Sequence, residues 1–158
     1  MFSIIAAVGK NRELGKNNQL VFHIKEDMQF FKETTTGHAV LMGLNTFNSL
    51  GKPLPNRDNY VLTRNPEDLP KGVFGVPDLD AFIAENQGPN EEIFVIGGAY
   101  VYSEMLPYCD NLYLTEIDAE CDADVFFPEF DKSGYNKTII KRGHSDDLNY
   151  TFAKYTKK

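Results

Sequence analysis

Four short apolar runs constrain this chain more than any other feature. Residues 2–8, 39–42, 60–63 and 92–96 are rich in Val, Ile, Leu and Phe, and they end at glycine or polar residues. Parallel-sheet strands usually look like this, because helices cover both faces of the sheet. Helical patterns lie between the runs. Residues 27–35 carry Met28, Phe31 and Thr35 at i, i+3 and i+7, and 45–50 form one short helix. Residues 78–85 open on an aspartate cap and place Leu79, Phe82 and Ile83 on one face. Residues 99–106 follow Gly97-Gly98 and stop before Pro107. Later, 111–115 reads as a strand, and 137–141 with 150–155 as a closing antiparallel pair. The expected fold class is α/β: a central, mostly parallel twisted sheet flanked by helices, with a C-terminal antiparallel hairpin.

The length of 158 residues suits one domain. Folding such a chain buries roughly 70% of its extended surface, enough for a core without staples. A formal charge of −7 argues against a nucleic-acid partner, which needs a basic face, but leaves room for a small anion in a local positive pocket. No apolar run approaches the ~18 residues of a membrane helix, and the first run lacks a basic leader, so neither a membrane span nor a signal peptide is expected. Cys109 and Cys121 are too few for a disulfide scaffold, which makes a reduced cytoplasmic protein the default. His23, His38 and His144 are scattered without ligand spacing, so no metal site is expected.

In open α/β sheets, ligands bind beyond the carboxyl ends of the strands. Gly97-Gly98 at one such end lets backbone approach a pyrophosphate, although a tight strand–helix turn is the plainer role for the pair. Gly43 with Thr46 marks a second strand–glycine–helix junction. Thr63-Arg64 adds a hydroxyl and a guanidinium suited to a phosphate monoester. Three phosphate-competent strand ends in one small domain suggest an extended dinucleotide. Asp27 and Phe31 stand four residues apart on one helix face. They could grip a flat heterocycle by its amidine-like edge, or Asp27 could serve simply as a helix N-terminal acid.

These residues resemble dihydrofolate reductase over 4–155, nearly the whole chain. The matching blocks are Ile5-Ala6-Ala7; Leu14-Gly15 with Asn18-Gln19-Leu20; Glu26-Asp27-Met28 with Phe30-Phe31-Lys32; Met42-Gly43 with Thr46-Phe47 and Ser49-Leu50-Gly51; Pro53-Leu54-Pro55-Asn56-Arg57; Val61-Leu62-Thr63-Arg64; Ile96-Gly97-Gly98 with Tyr102; and Leu112-Tyr113-Leu114-Thr115. The resemblance implies an NADPH-dependent reduction of 7,8-dihydrofolate, with Asp27 as the ionisable side chain facing the pterin and Phe22 and Leu20 as its catalytic neighbours. On the substrate side it implies Ile5, Ala6, Met28, Ile96 and Thr115 around the pterin end. Phe31, Leu50 and Leu54 would enclose the p-aminobenzoyl ring, and Arg57 with Lys32 would hold the glutamate.

For the cofactor the resemblance implies Ala7, Ile96, Gly97 and Gly98 against the nicotinamide and pyrophosphate, with Gly43, Leu44, Thr46, Ala99, Tyr100, Val101 and Tyr102 beside them. Leu62, Thr63 and Arg64 would read the adenosine 2′-phosphate. Residues 14–20 would form a mobile loop that contributes Leu14, Gly15, Asn18, Gln19 and Leu20. Residues 39–90 would form an adenosine-binding lobe of a single domain. Antifolates such as trimethoprim or methotrexate are implied as further ligands, with no nucleic acid, no membrane and a monomeric state.

Two departures from the family stand out. Val21-Phe22 replaces the usual Pro-Trp, which removes an indole N–H donor. Leu44 stands where a basic residue often follows Gly43, and Tyr100 where some members carry Arg, so Arg64 carries more of the cofactor preference. Asp118, Glu120, Asp122 and Asp124 alternate and read as a solvated face, with Asp124 placed near the mobile loop by the resemblance. Cys109 reads as a small buried hydrophobe. Two other readings remain: the pyrimidine reductase of riboflavin synthesis, which has no need of Asp27, Phe31 and Arg57, and a module that binds folate or NADPH without turnover.

Overall fold

The computed structural model of the protein describes residues 1–17 and 19–158, with Gln19 and Leu20 by backbone alone. In chain order the strands are β1 (Phe2–Val8), β2 (Glu13–Lys16), β3 (Gln19–Leu20), β4 (Ala39–Gly43), β5 (Asn59–Leu62), β6 (Val73–Val76), β7 (Ile93–Gly97), β8 (Cys109–Ile117), β9 (Val125–Phe126), β10 (Tyr135–Ser145) and β11 (Leu148–Lys157). The helices are α1 (Lys25–Thr35), α2 (Leu44–Leu50), α3 (Leu79–Glu85) and α4 (Ala99–Met105). Eight strands form one sheet in the order β10-β11-β8-β1-β7-β4-β5-β6. The six from β8 to β6 are mutually parallel; β11 runs against β8 and β10 against β11. This is the expected α/β class.

The four apolar runs become β1, β4, β5 and β7, and alternation along them divides two cores. Ile4, Leu41, Val95 and Leu112 face one side; Ile5, Val40, Met42 and Phe94 face the other. Both sets are buried, which is why these strands read as continuous apolar runs rather than as alternating ones. A third cluster, Ile24, Ile117, Tyr150 and Phe152, lies where the start of α1 meets the hairpin.

Several boundaries differ from the sequence reading. The helix expected at 27–35 begins at Lys25; Phe31 and Thr35 of the expected face are turned inward, joined by Phe30, whose ring lies 4.6 Å from that of Phe152, but Met28 is 64% exposed. Helix α3 has the expected Asp78 cap, whose carboxylate accepts from Ala81 N at 3.2 Å. Helix α4 ends at Met105 and passes into a 3-10 turn containing Pro107. The hairpin is longer than expected, because its outer strand is mostly solvent-facing and carries little apolar signal. Asp146 and Asp147 both take positive φ in its turn, the conformation that matches the twist of the flanking strands.

Strands β2, β3, β6 and β9 were not expected. β2, β3 and β9 form a small separate sheet in the order β3-β2-β9. Its registration relies on polar contacts that no periodicity announces. Asp124 N donates to Gly15 O at 3.0 Å, Asn17 N donates to Asp124 Oδ2 at 3.1 Å, and Lys16 pairs with Asp122. Asp124 therefore lies beside the 14–20 segment, as the resemblance implied. Among the described residues, no group of three or more His, Cys, Asp or Glu side chains is placed to hold a metal ion, the acidic alternation included. Cys109 is fully buried, and burial pushes its thiol up to about 12. No helix among the described residues is long and apolar enough to cross a membrane.

Glu13 is the feature of this region that sequence reasoning missed. It is buried, yet its carboxylate accepts from Asn11 N at 2.7 Å and from Cys121 N at 2.9 Å. Burial raises its pKa, but the backbone hydrogen bonds outweigh burial and leave it below the ordinary value. A group lowered in this way stabilises the fold above its unfolded pKa, and that contribution fades as pH falls through the folded value. Glu13→Ala should therefore cost about 1–3 kcal/mol at neutral pH, since two part-buried, charge-assisted hydrogen bonds are lost, and less in acid. Urea unfolding at pH 7 and pH 4 checks both the size and the direction.

Candidate active site

Parallel strands present their carboxyl ends along one edge, and that edge gathers the functional candidates. In β1 and β8, Ile5 pairs with Tyr113 and Ala7 with Thr115, so these four project to the same face. The third residue of α1, Asp27, meets that face: Thr115 Oγ1 donates to Asp27 Oδ1 at 2.6 Å. Burial pushes the Asp27 carboxyl above its ordinary value, and the Thr115 hydrogen bond opposes that shift only in part. A half-buried carboxylate with one hydroxyl partner keeps acceptor capacity for an N–H edge.

Phe31 follows Asp27 on α1 and packs with Leu54 and Ile96 against the core that contains Ile5 and Phe94. These form an apolar wall beside a carboxylate. Leu50, at the end of α2, is 41% exposed; Met28 and Lys32 are also exposed on α1. Ala6 projects to the opposite core, which leaves only its backbone on the Asp27 side. Phe22 is half-buried against Ile117, Tyr150, Phe152 and Ala7.

Arg57 is held in place by two unexpected residues. Its Nε donates to Pro55 O at 2.8 Å and its Nη1 to Thr35 Oγ1 at 2.9 Å, which leaves further N–H groups for a ligand. Thr35 is buried at the end of α1 and also donates to Phe31 O at 2.8 Å. Asn59, buried at the start of β5, accepts from Leu54 N and donates to the carbonyls of Leu54 and Arg57, each at 2.9 Å. One amide thus folds the turn that carries both Leu54 and Arg57. A polar residue opening an apolar strand was the signal for it.

The glycines behave as a cradle. Gly97 has φ +132°, a conformation that side chains oppose, and a Cβ there would stand 3.4 Å from Thr46 Oγ1. A Cβ on Gly98 would stand 3.5 Å from the same atom, and one on Gly43 would stand 3.3 Å from Val101 Cγ2 and 3.8 Å from Gly98 N. The two glycine turns therefore face each other with Thr46 between them. Tyr102 crosses beneath and donates to Ile5 O at 2.8 Å. Val101, Tyr102 and Leu14 are buried in the main core, so their side chains support the cradle and loop from behind. Ala99 packs there as well.

Beyond the cradle lies a cavity of about 670 Å³ lined by Leu62, Thr63, Arg64, Tyr100, Asp78, Asp80 and Glu104, among others. Thr63 is buried and Arg64 exposed, with Leu44 39% exposed on α2. A larger depression of about 890 Å³ is lined by Leu114 and Glu116, which alternate with Thr115 along β8. Two of its cations are already paired, Lys10 with Asp118 and Arg12 with Glu129. Gly15 contributes backbone to β2. Asn18 lies outside the described residues, as do the side chains of Gln19 and Leu20.

A half-buried carboxylate beside an aromatic wall, with a glycine cradle and a cavity holding Arg64 at neighbouring strand ends, suits a protein that aligns a flat heterocycle with an extended anionic ligand. A family model described as dihydrofolate reductase matches residues 1–157. The dihydrofolate reductase of Bacillus subtilis (strain 168) is 43% identical over 161 residues, covering 100% of this chain and 95% of that protein. The type 3 dihydrofolate reductase of Salmonella typhimurium is 41% identical over 149 residues, covering 94% and 91%. Among solved structures, dihydrofolate reductase from Enterococcus faecalis, complexed with NADP(H) and RAB-propyl, superimposes with a TM-score of 0.90 at 32% identity, covering 100% of this chain and 96% of that one. This chain belongs to the dihydrofolate reductase family.

The Asp27 environment carries a stability consequence. A carboxyl whose folded pKa is raised stabilises most below its unfolded value of about 3.9, and this contribution is lost as pH rises through the folded pKa. Asp27→Asn keeps an oxygen to accept from Thr115 without burying a charge. The variant should therefore melt at a higher temperature than the native protein at pH 7, with the difference shrinking in acid. Thermal unfolding followed by circular dichroism at pH 7 and pH 4 checks this.

Proposed function

We propose that this protein catalyses NADPH-dependent reduction of 7,8-dihydrofolate to 5,6,7,8-tetrahydrofolate, as a cytoplasmic monomer. The observation that carries the reading is Asp27, half-buried, bonded to Thr115, and placed between the Phe31 wall and the strand end of β1. In this reading Asp27 accepts from the amino and N3–H groups of the pterin and supports protonation at N5. Burial raises its pKa, and a raised carboxyl holds a proton more readily than an ordinary one, which suits that task. Phe31, Leu54 and Leu50 orient the p-aminobenzoyl ring, and the free N–H groups of Arg57 hold the glutamate α-carboxylate. Ile5, Met28, Ile96 and Thr115 border the pterin end, and Lys32 adds charge beyond Arg57.

The residues present fit the cofactor. Gly97 and Gly98 leave the room that a Cβ would fill beside Thr46 Oγ1, and Gly43 the room beside Gly98 N, which suits a pyrophosphate. The cavity with Thr63, Arg64 and Tyr100 suits the adenosine end, so that residues 39–90 act as an adenosine-binding lobe within the single sheet. When bound, NADPH supplies the hydride that reaches C6. Asp124 holds the backbone of Gly15 and Asn17, and cover from this segment would keep water from the two rings. Phe22 keeps apolar cover on the cluster with Ala7 but offers no donor to a site water. Trimethoprim and methotrexate, flat cations with an amidine-like edge, should compete at Asp27.

Absorbance loss at 340 nm with dihydrofolate tests the reading, and a protein that binds both ligands without turnover would refute it. Arg57→Ala should raise KM for dihydrofolate by the equivalent of ~2–5 kcal/mol while leaving a pterin without the glutamate tail unaffected. Equal loss for both substrates would assign Arg57 a purely structural role.

Arg64 faces Asp78, Asp80 and Glu104 across its cavity, and neither Leu44 nor Tyr100 assists it with a charge. Its removal should weaken NADPH binding by about ten- to a hundredfold, the worth of ~1.5–3 kcal/mol, and leave NADH nearly unchanged. Fluorescence titration with the two dinucleotides reads this directly.

A further inference from the structure

The reductase reading uses Asp27 but leaves its neighbour Glu26 without a role. Glu26 does not cap α1. Instead each of its carboxylate oxygens has a separate partner on the C-terminal hairpin. Tyr150 Oη donates to Oε1 at 2.7 Å, and Lys141 Nζ stands 3.2 Å from Oε2. Tyr150 is buried in β11 and pairs in register with Gly143 of β10. A Cβ on Gly143 would lie 2.2 Å from Tyr150 Cε2 and 2.5 Å from Glu26 Oε1. The missing side chain is what lets the tyrosine ring cross β10 and reach the helix.

Residues on either side complete the contact. Phe152, two residues on from Tyr150, packs its ring at a tilt against Phe30 of α1 and pairs in register with Thr115 of β8. Lys141 Nζ also lies 5.0 Å above the Phe152 ring. Consecutive residues of one helical turn are therefore tied to adjacent strands, Glu26 to β11 and Asp27 to β8. The helix N-terminus has no side-chain cap to fix it otherwise. From this geometry we infer that Tyr150, through Glu26 and across Gly143, is a positioning residue that sets the distance between Asp27 and Thr115 and hence the placement of the pterin acid.

The proposal rests on the reductase reading for its kinetic consequence but not for its structural one. The charges agree with it: hydrogen bonding from Tyr150, then Lys141, holds the Glu26 carboxyl below its ordinary value, and the same bond pushes the Tyr150 hydroxyl up to about 12. Glu26 thus stays an acceptor and Tyr150 a donor throughout the working pH range.

Tyr150→Phe keeps the ring in its cluster and removes only the hydroxyl. In the ligand-free protein, NMR should show the Thr115 hydroxyl proton exchanging faster than in the native protein. In single turnover with dihydrofolate, the rate should fall about three- to tenfold, as expected for a displaced catalytic group. Glu26→Ala, a change at a partly exposed position, should reproduce both effects. Glu26→Gln, whose amide oxygen still accepts from Tyr150, should restore most of the loss. The double variant Glu26→Ala/Tyr150→Phe should be no slower than the worse single, because both remove one contact. Native Thr115 exchange in folded Tyr150→Phe, or losses that multiply in the double variant, would overturn the inference. A native protein inert toward dihydrofolate would overturn the reductase reading instead, and the exchange measurement would still decide this one.

Discussion

The structure depends on the parallel pairing of β1 with a strand on each side. β1 lies between β7 and β8, so its backbone groups are satisfied in both directions and both of its faces must be covered. That constraint accounts for Ile4 and Ile5 being buried on opposite faces, and for helices on both sides of the sheet. It also lines up the carboxyl ends of β1, β4, β5 and β7 along one edge. Every element of the proposed site is referred to that edge: the carboxylate, the apolar wall, the glycine cradle and the arginine cavity.

A second organising theme is polar side chains that fold loops. Asn59 shapes the turn carrying Leu54 and Arg57, Thr35 orients Arg57, and Asp124 and Glu13 tie the 14–20 segment to its neighbours. Each satisfies backbone or side-chain groups that would otherwise be stranded in a part-buried loop. Loops positioned in this way can carry ligand contacts because the rigid sheet lies directly beneath them. The hairpin adds a comparable brace, Tyr150 to Glu26, at the one helix that carries the acid.

Two departures from the family acquire physical content in this setting. Phe22 fills apolar space near Ala7 and Tyr150 without a donor, so the chemistry near Asp27 rests on Asp27 and Thr115. Leu44 is exposed, and the cavity beyond it mixes Arg64 with three carboxylates, Asp78, Asp80 and Glu104. In the proposed reading, cofactor selection therefore falls on one guanidinium.

The amino-acid sequence alone determined the sheet class, the four buried strands, the Asp78 cap and the ordered motifs that place Asp27 and Phe31 on one helix, Arg57 in the turn before a strand, and Arg64 and Gly97-Gly98 at strand ends. These were readable because burial on both faces and local capping leave a mark within a few consecutive residues. Tertiary structure alone decided the rest. It turned Met28 outward and Phe30 inward, sent the Ala6 side chain to the far core, and buried the side chains of Leu14, Val101 and Tyr102 in the main core. It also paired Glu13 with Cys121 N, and Glu26 with Tyr150 across Gly143. Those contacts join residues about a hundred positions apart, and each is a single polar bond or a missing Cβ. Neither leaves a periodic trace, so only the folded chain could reveal them.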